Sequence, residues 1–202
     1  INNLLEMMSR PFRHEAENRN LSYLVEIGDD VPRSVITDSK RLQQILKNLL
    51  SNAFKFTAEG GVTLRVTAAT EGWSSDHPSL QHAPSVIAFE VSDTGIGILP
   101  EKQRIIFEAF QQADGSTSRK YGGTGLGLAI SRELSRLLGG EIKLASNPGT
   151  GSTFTLYVPQ TYSPIRAQRK PQPADAVPAV SAEQEPAGRK RGPCPGARPR
   201  GR

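Results

Sequence analysis

Residues 38–57, DSKRLQQILKNLLSNAFKFT, constrain the chain more than any other stretch. Leu42, Ile45, Leu46, Leu49, Leu50 and Ala53 recur at helical spacing, so one face is apolar and must pack on a core. A second stripe runs beside it. Gln44, Asn48, Asn52 and Lys55 fall at i, i+4, i+8 and i+11 and point the same way over about three turns. Two Asn inside one helix weaken it, because the short amide competes for backbone hydrogen bonds. Lys or Glu would serve a solvated face better. Stacked carboxamides instead offer neutral oxygens, which suit a hard cation such as Mg²⁺ shared with phosphates. Taken alone, the stripe is equally well a solvated helix face.

The charge of the whole chain points away from the body of the protein. Residues 161–202 carry nine Lys and Arg against three Asp and Glu, whereas residues 1–160 carry 16 against 17. The body is almost neutral, and the high pI implies no nucleic-acid-binding face. The only cysteine, Cys194, excludes a disulfide framework and a Cys-based metal site, and fits a reducing compartment. No apolar run reaches membrane-spanning length, and no signal peptide is recognisable. The sequence opens at Ile1 inside a helical pattern, which reads as a piece of a longer chain.

Taken in order, residues 1–20 read as a helix with Ile1, Leu4, Leu5, Met8 and Phe12 on one side, bent or interrupted at Pro11. Residues 21–27 alternate as a strand, Val35–Ile36 form a short extended piece, and Thr37 or Asp38 caps the helix that follows. Strands are expected at 62–70 and 85–92, with a polar connecting loop at 71–84. A short helix at 101–111 carries Phe107 and Phe110, and residues 112–124 read as a mobile loop rich in Gly, Ser and Thr. A helix at 125–138 leads to strands at 141–146 and 152–158. Residues 161–202, rich in Pro, Ala, Arg and Gly, read as a disordered tail or linker.

Three glycine clusters carry the chemistry: Asp93-Thr94-Gly95-Ile96-Gly97, Gly122 to Gly127, and Gly149-Thr150-Gly151. Glycine lets backbone approach a ligand, and the second cluster opens a helix, whose free N–H groups form a natural phosphate site. Familiar nucleotide sites are excluded. A Walker A loop needs a Lys after its glycines, and none follows. A Rossmann fingerprint would need glycine where Pro100 or Ile130 stands. The H-R-D and D-F-G signatures of eukaryotic-type protein kinases are absent.

These residues resemble the ATP-binding catalytic domain of sensor histidine kinases, in the superfamily that includes DNA gyrase B, Hsp90 and MutL. Asn48 to Asn52 in LKNLLSNAFKFT resembles the N box, DTGIG at 93–97 the G1 box, FEAF at 107–110 the F box and GGTGLGL at 122–128 the G2 box. The wording of 33–57 and 107–130 is most similar to hybrid kinases, which carry a receiver domain after a flexible linker.

The resemblance implies an α+β fold: a two-layer α/β sandwich with a mixed sheet, helices on one face and a mobile ATP lid. It implies ATP and Mg²⁺ as cofactors. Asn52 would ligate Mg²⁺, with Asn48 a second candidate ligand that also supports the phosphates. Asn48 and Lys55 would be the catalytic pair, Lys55 reaching phosphate, and Phe56 would pack near the base or ribose. Asp93 would accept from the adenine amino group, with Gly95 and Gly97 lining the ring. Arg119 or Lys120 would meet the triphosphate, and Gly123, Thr124, Gly125, Leu126 and Gly127 would shape the lid's return and the phosphate cradle.

ATP-hydrolysing members of the superfamily carry Glu where this chain has Asn48. An amide cannot take a proton from water near neutral pH, whereas a neutral imidazole already has a nucleophilic lone pair. The resemblance therefore implies phosphoryl transfer to histidine rather than hydrolysis.

His14 lacks the following proline of a phosphoacceptor motif, and His77 and His82 read as surface residues. Residues 1–20 would then be a linker helix from a missing dimerisation and phosphoacceptor domain, and 21–160 the catalytic domain. The implied partners are that helical domain and a downstream receiver domain or response regulator, with no nucleic acid. The parent would be a homodimer and this fragment monomeric. The domain would be cytoplasmic, its parent open to anchoring in a bacterial inner membrane. Two rivals stand beside this reading: a stand-alone serine kinase of the anti-sigma type, and a non-catalytic module in which ATP only switches partner binding.

Overall fold

The computed structural model describes residues 1–108 and 125–162. Five strands form one mixed sheet in the order β1-β2-β3-β5-β4, where β1 is Ser22–Ile27, β2 Gly61–Ala69, β3 Val86–Asp93, β4 Glu141–Asn147 and β5 Gly151–Pro159. β1 and β2 run parallel and every other neighbouring pair is antiparallel. The parallel pair needs a crossover, and α2, Ser39–Phe56, supplies it.

Alternation along the strands explains the two layers. Val62, Leu64, Val66, Ile87, Phe89, Val91, Leu156 and Val158 all point to the helix side and are almost fully buried. On the opposite face Glu26, Arg65, Glu90, Thr155 and Lys143 lie in one row across all five strands. Arg65 Nε donates to Glu26 at 2.7 Å within that row. One face is therefore core and the other a charged ladder.

The helix layer is α1 (Asn2–Arg19), α2 and α4 (Gly127–Leu137), with a one-turn α3 at Pro100–Gln103. Asp38 caps α2, accepting from the amides of Lys40 and Arg41 at 3.1 Å each. At the other end of α2, Arg19 donates to the carbonyls of Phe54 and Thr57, and Thr57 Oγ1 donates to Ala53 O at 2.7 Å. These bonds satisfy carbonyls that the helix itself leaves without partners. Phe54 has no exposed surface; its ring stacks on Phe12 at 5.5 Å and meets Tyr23 edge-on at 5.4 Å. One side chain thus joins α1, α2 and β1.

Three expectations are revised. α1 runs unbroken through Pro11. The missing amide costs Met7 its acceptor bond, but Met7 is 65% exposed and water can replace it, while Leu5, Met8, Phe12 and Ala16 stay buried in the common core. The helix expected over 101–111 is only one turn, followed by a 3₁₀ turn at Ile105–Phe107. Two consecutive β-branched residues disfavour the wider helix, and the tighter turn buries Ile106. Residues 109–111 of that expectation, including Phe110, lie outside the described residues.

The loop at 71–84 is docked rather than merely connecting. Leu80 is 1% exposed, Trp73 meets Tyr157 edge-on at 5.7 Å, and Ser74 donates twice to the Glu141 carboxylate. Burial pushes that carboxyl up, but the bonds from Ser74 and Lys143 outweigh it and hold Glu141 below its ordinary value. His77 is part of the loop's own turn, its Nδ1 accepting from Leu80 N at 3.1 Å.

A last tie joins distant parts of the chain. Ile36 N donates to Gln160 O at 2.8 Å, and Tyr162 N donates to Ile36 O at 3.0 Å. Val35–Ile36, the short extended piece, is thus held against the segment after β5, just before α2 begins.

Phe54→Ala is expected to cost about 3–5 kcal/mol, the range for emptying a fully buried aromatic site. Urea denaturation followed by circular dichroism reads this directly. A loss below about 1 kcal/mol would mean that the three-element junction is not central to the core.

Candidate functional site

α4 packs along α2, and there the Asn stripe finds its partner. Asn48 Nδ2 donates to Ser131 Oγ at 2.9 Å, and Ser131 is 1% exposed. Asn48 Oδ1 faces the first turn of α4, where a Cβ placed on Gly127 would lie 2.3 Å from it. Gly127 and Ser131 are four residues apart on α4, so they share the face that receives the carboxamide. Asn52 follows one turn later on α2, half-buried. Lys55 comes next, its Nζ 5.0 Å from the centre of the Phe56 ring, a cation–π distance.

α4 begins without a side-chain cap, and Gly125 just before it takes φ 69. First-turn N–H groups left open in this way, at the positive end of the helix dipole, are an arrangement that receives phosphate oxygens.

The loop after β3 turns directly onto the end of α2. Asp93 Oδ1 accepts from Gly95 N at 2.8 Å, and Ile96 N donates to Phe56 O at 3.3 Å. A Cβ on Gly95 would sit 2.3 Å from that same carbonyl. Gly97 has φ 67, and a Cβ there would lie 2.0 Å from Asn147 O, so both its conformation and its surroundings demand glycine. The far side of the loop is held by residues that no motif pointed to. Ile98 N donates to Ser146 Oγ at 2.8 Å, and Gln103 Nε2 donates to the carbonyls of Ile98 and Ser146, each at 2.9 Å. Thr94 Oγ1 accepts from Gly61 N at 3.0 Å. Residues 93–98 are thus fixed against α2, β2 and the β4–β5 hairpin. Phe107 of the FEAF segment stands edge-on to Phe154 at 6.2 Å.

Asp93 is half-buried. Burial pushes its carboxyl above the ordinary value, and backbone amides of Gly95 and Ser152 offset that only in part. A carboxylate has about four lone-pair sites, more than two backbone amides fill, so one at a strand end can also accept an N–H of a ligand.

The structure brings Asn48 and Gly127 together, and Phe56 with Gly95 and Ile96. It sets Gly125 and Leu126 at the mouth of α4. Arg119, Lys120, Gly123 and Thr124 lie outside the described residues. Among the described residues no group of three His, Cys, Asp or Glu could hold a metal ion. The carboxamide oxygen of Asn48 stands against α4 and Asn52 follows one turn along α2; neutral oxygens of this kind fit only a hard cation that brings further oxygens with its ligand. Ser131, Ser146 and Gln103 escaped the sequence reading. Only Ser131 had a signal, its position four residues beyond Gly127 on the buried face of a helix.

The family model for histidine kinase-, DNA gyrase B- and HSP90-like ATPases matches residues 37–162. The chain is 41% identical to hybrid signal transduction histidine kinase K of Dictyostelium discoideum over 178 residues, covering 84% of this chain and 14% of that protein. It is 41% identical to the signal transduction histidine-protein kinase BarA of Escherichia coli K12 over 145 residues, covering 72% and 15% respectively. The chain therefore spans about one seventh of these curated relatives. Among solved structures, full-length ShkA in complex with AMPPNP matches with a TM-score of 0.63 and 32% identity, covering 78% of this chain and 29% of that one. The catalytic domain of histidine kinase ThkA matches with a TM-score of 0.60 at 24% identity, covering 80% and 95%, a likeness of fold.

The raised carboxyl of Asp93 has a thermodynamic signature. The folded state binds this proton more tightly than the unfolded chain, so the group's contribution to stability falls as pH rises from the ordinary carboxylate value through the raised one. Asp93→Asn removes that slope. The variant should gain on the wild type across this window and keep the gain at neutral pH, as read by urea melts from about pH 4 to about pH 7. Identical pH slopes would contradict the burial argument.

Proposed function

Because the chain belongs to the family of histidine kinase-, DNA gyrase B- and HSP90-like ATPases, we propose that it binds ATP with Mg²⁺ and donates the γ-phosphoryl group to a histidine on a separate helical domain. The observation that carries this is the docking of Asn48 on α4 across 83 residues of sequence, which sets the Asn stripe beside an uncapped helix start. The names of the relatives support the histidine-kinase branch and a place in two-component signal transduction.

In this reading α4's first-turn amides receive phosphate oxygens, and Asn52 and Asn48 offer amide oxygens to the cation. Mg²⁺ supplies neutralisation of phosphate charge when bound. Lys55 reaches the phosphates and Phe56 packs by the base or ribose. Asp93 accepts from the adenine amino group, with Gly95 and Gly97 keeping the approach open. Arg119, Lys120, Gly123 and Thr124 complete the phosphate side. Asn48 cannot serve as a base for water, so positioning and charge neutralisation carry the transfer.

The acceptor histidine belongs to another domain. His14 lies on α1, whose buried face is part of the domain's own core, and its side chain is 77% exposed with Glu17 3.8 Å away. The parent would be a homodimeric hybrid kinase with a dimerisation domain and a receiver domain, and the present chain its monomeric catalytic part. No described helix is long and apolar enough to cross a membrane. A cytoplasmic placement, with any anchor elsewhere in the parent, is part of the proposal.

Calorimetric titration of a non-hydrolysable ATP analogue should show one site whose affinity rises with Mg²⁺. Asn52→Ala should lose roughly tenfold or more of that gain. Wild-type affinity in the variant would remove the metal assignment. Mixed with a helical histidine domain, the chain should yield an acid-labile phosphoprotein; an acid-stable product would point to serine instead.

A further inference from the structure

Ser131 belongs to none of the motifs above. It lies on the second turn of α4, 1% exposed, and takes the Asn48 amide at 2.9 Å. A buried hydroxyl costs stability unless it is bonded, and here the bond comes from another helix. The geometry of the amide makes the choice of partner matter. Turning a carboxamide by half a revolution about Cβ–Cγ exchanges oxygen and nitrogen with almost no change of shape. Only one orientation presents an oxygen to a cation; the other presents two N–H groups.

A serine hydroxyl can pair with either end, so Ser131 fixes where the carboxamide lies, while the positive start of α4 favours the orientation with the oxygen toward it. Ser131 receives Nδ2. Gly127, one turn earlier, leaves the space in which Oδ1 stands, and any Cβ there would be 2.3 Å from it. We infer that Ser131 is a positioning residue. By holding the Asn48 carboxamide it fixes the place from which Oδ1 can reach the nucleotide-bound cation, and Gly127 must stay small for the same reason. The inference rests on the ATP·Mg²⁺ reading above.

The alternative is a serine that merely fits between two packed helices. The two are separated by titrating the full 202-residue chain with a non-hydrolysable ATP analogue, once with Mg²⁺ and once with a chelator. Ser131→Ala should weaken binding roughly tenfold with Mg²⁺, the usual cost of removing a group that orients a metal ligand. Without metal the change should stay within about twofold. Ser131→Thr, which keeps the hydroxyl, should recover most of the loss. In an Asn48→Ala background, Ser131→Ala should add nothing further.

Gly127→Ala covers the case in which Ser131→Ala fails to fold. Its new methyl meets the end of the Asn48 side chain, and the better helix propensity of Ala offsets part of the cost of shifting it, so the variant should stay folded while the magnesium-dependent gain falls. Equal losses with and without Mg²⁺, additivity with Asn48→Ala, or an unchanged magnesium gain in Gly127→Ala would each overturn the inference. A wild-type chain without any magnesium gain would sink the ATP·Mg²⁺ reading first. A wild-type gain that Ser131→Ala retains in full would sink only the role of Ser131.

Discussion

A helix buried along one side cannot rotate about its axis. α2 leaves Ile45, Leu46, Leu49, Leu50 and Phe54 with no exposed surface, and close packing fixes its angular setting. The direction of Asn48, Asn52 and Lys55 follows from that setting, since they ride the adjoining flank. The same helix receives α4 through Asn48, anchors the 93–98 loop through the carbonyl of Phe56, and is closed at its end by Arg19. The core and the site share one rigid element, and the loops are positioned by it.

Most of the layout is legible because two periodicities dominate. The apolar positions of α2 and the alternation of β2, β3 and β5 identify helix and strands, and their boundaries shift by a residue or two. The candidate site could be proposed from sequence where one short stretch carried the pattern: Asn48 to Lys55, and Asp93 to Gly97. What stayed hidden depends on contacts between distant residues. Nothing local marks Ser146 and Gln103 as the far clamp of the 93–98 loop, or Leu80 and Trp73 as anchors of a loop whose composition is polar. Pro11 does not interrupt α1 because the lost bond falls on the solvent side, where water makes it good.

The site is assembled from choices that stability alone would not favour. Two Asn sit in a helix that would be firmer with Lys or Glu. Asp93 places a carboxyl where burial disfavours its charged form. α4 starts at Leu126 with no side-chain cap of its own. Local departures of this kind, surrounded by an otherwise consistent core, are where a sequence yields stability to function.

The tie between Ile36 and residues 160–162 has a consequence for how the domain comes into being. It fastens the approach to α2 with a segment synthesised more than a hundred residues later. During translation the helix can form and begin to pack, but the strand pairings that complete its surroundings, β3 with β5 and β5 with β4, join parts of the chain that emerge late. A nascent chain halted before residue 160 would have α2, the helix that carries the Asn stripe, made but not latched. The latch makes the setting of α2 a property of the finished domain rather than of any growing portion of it.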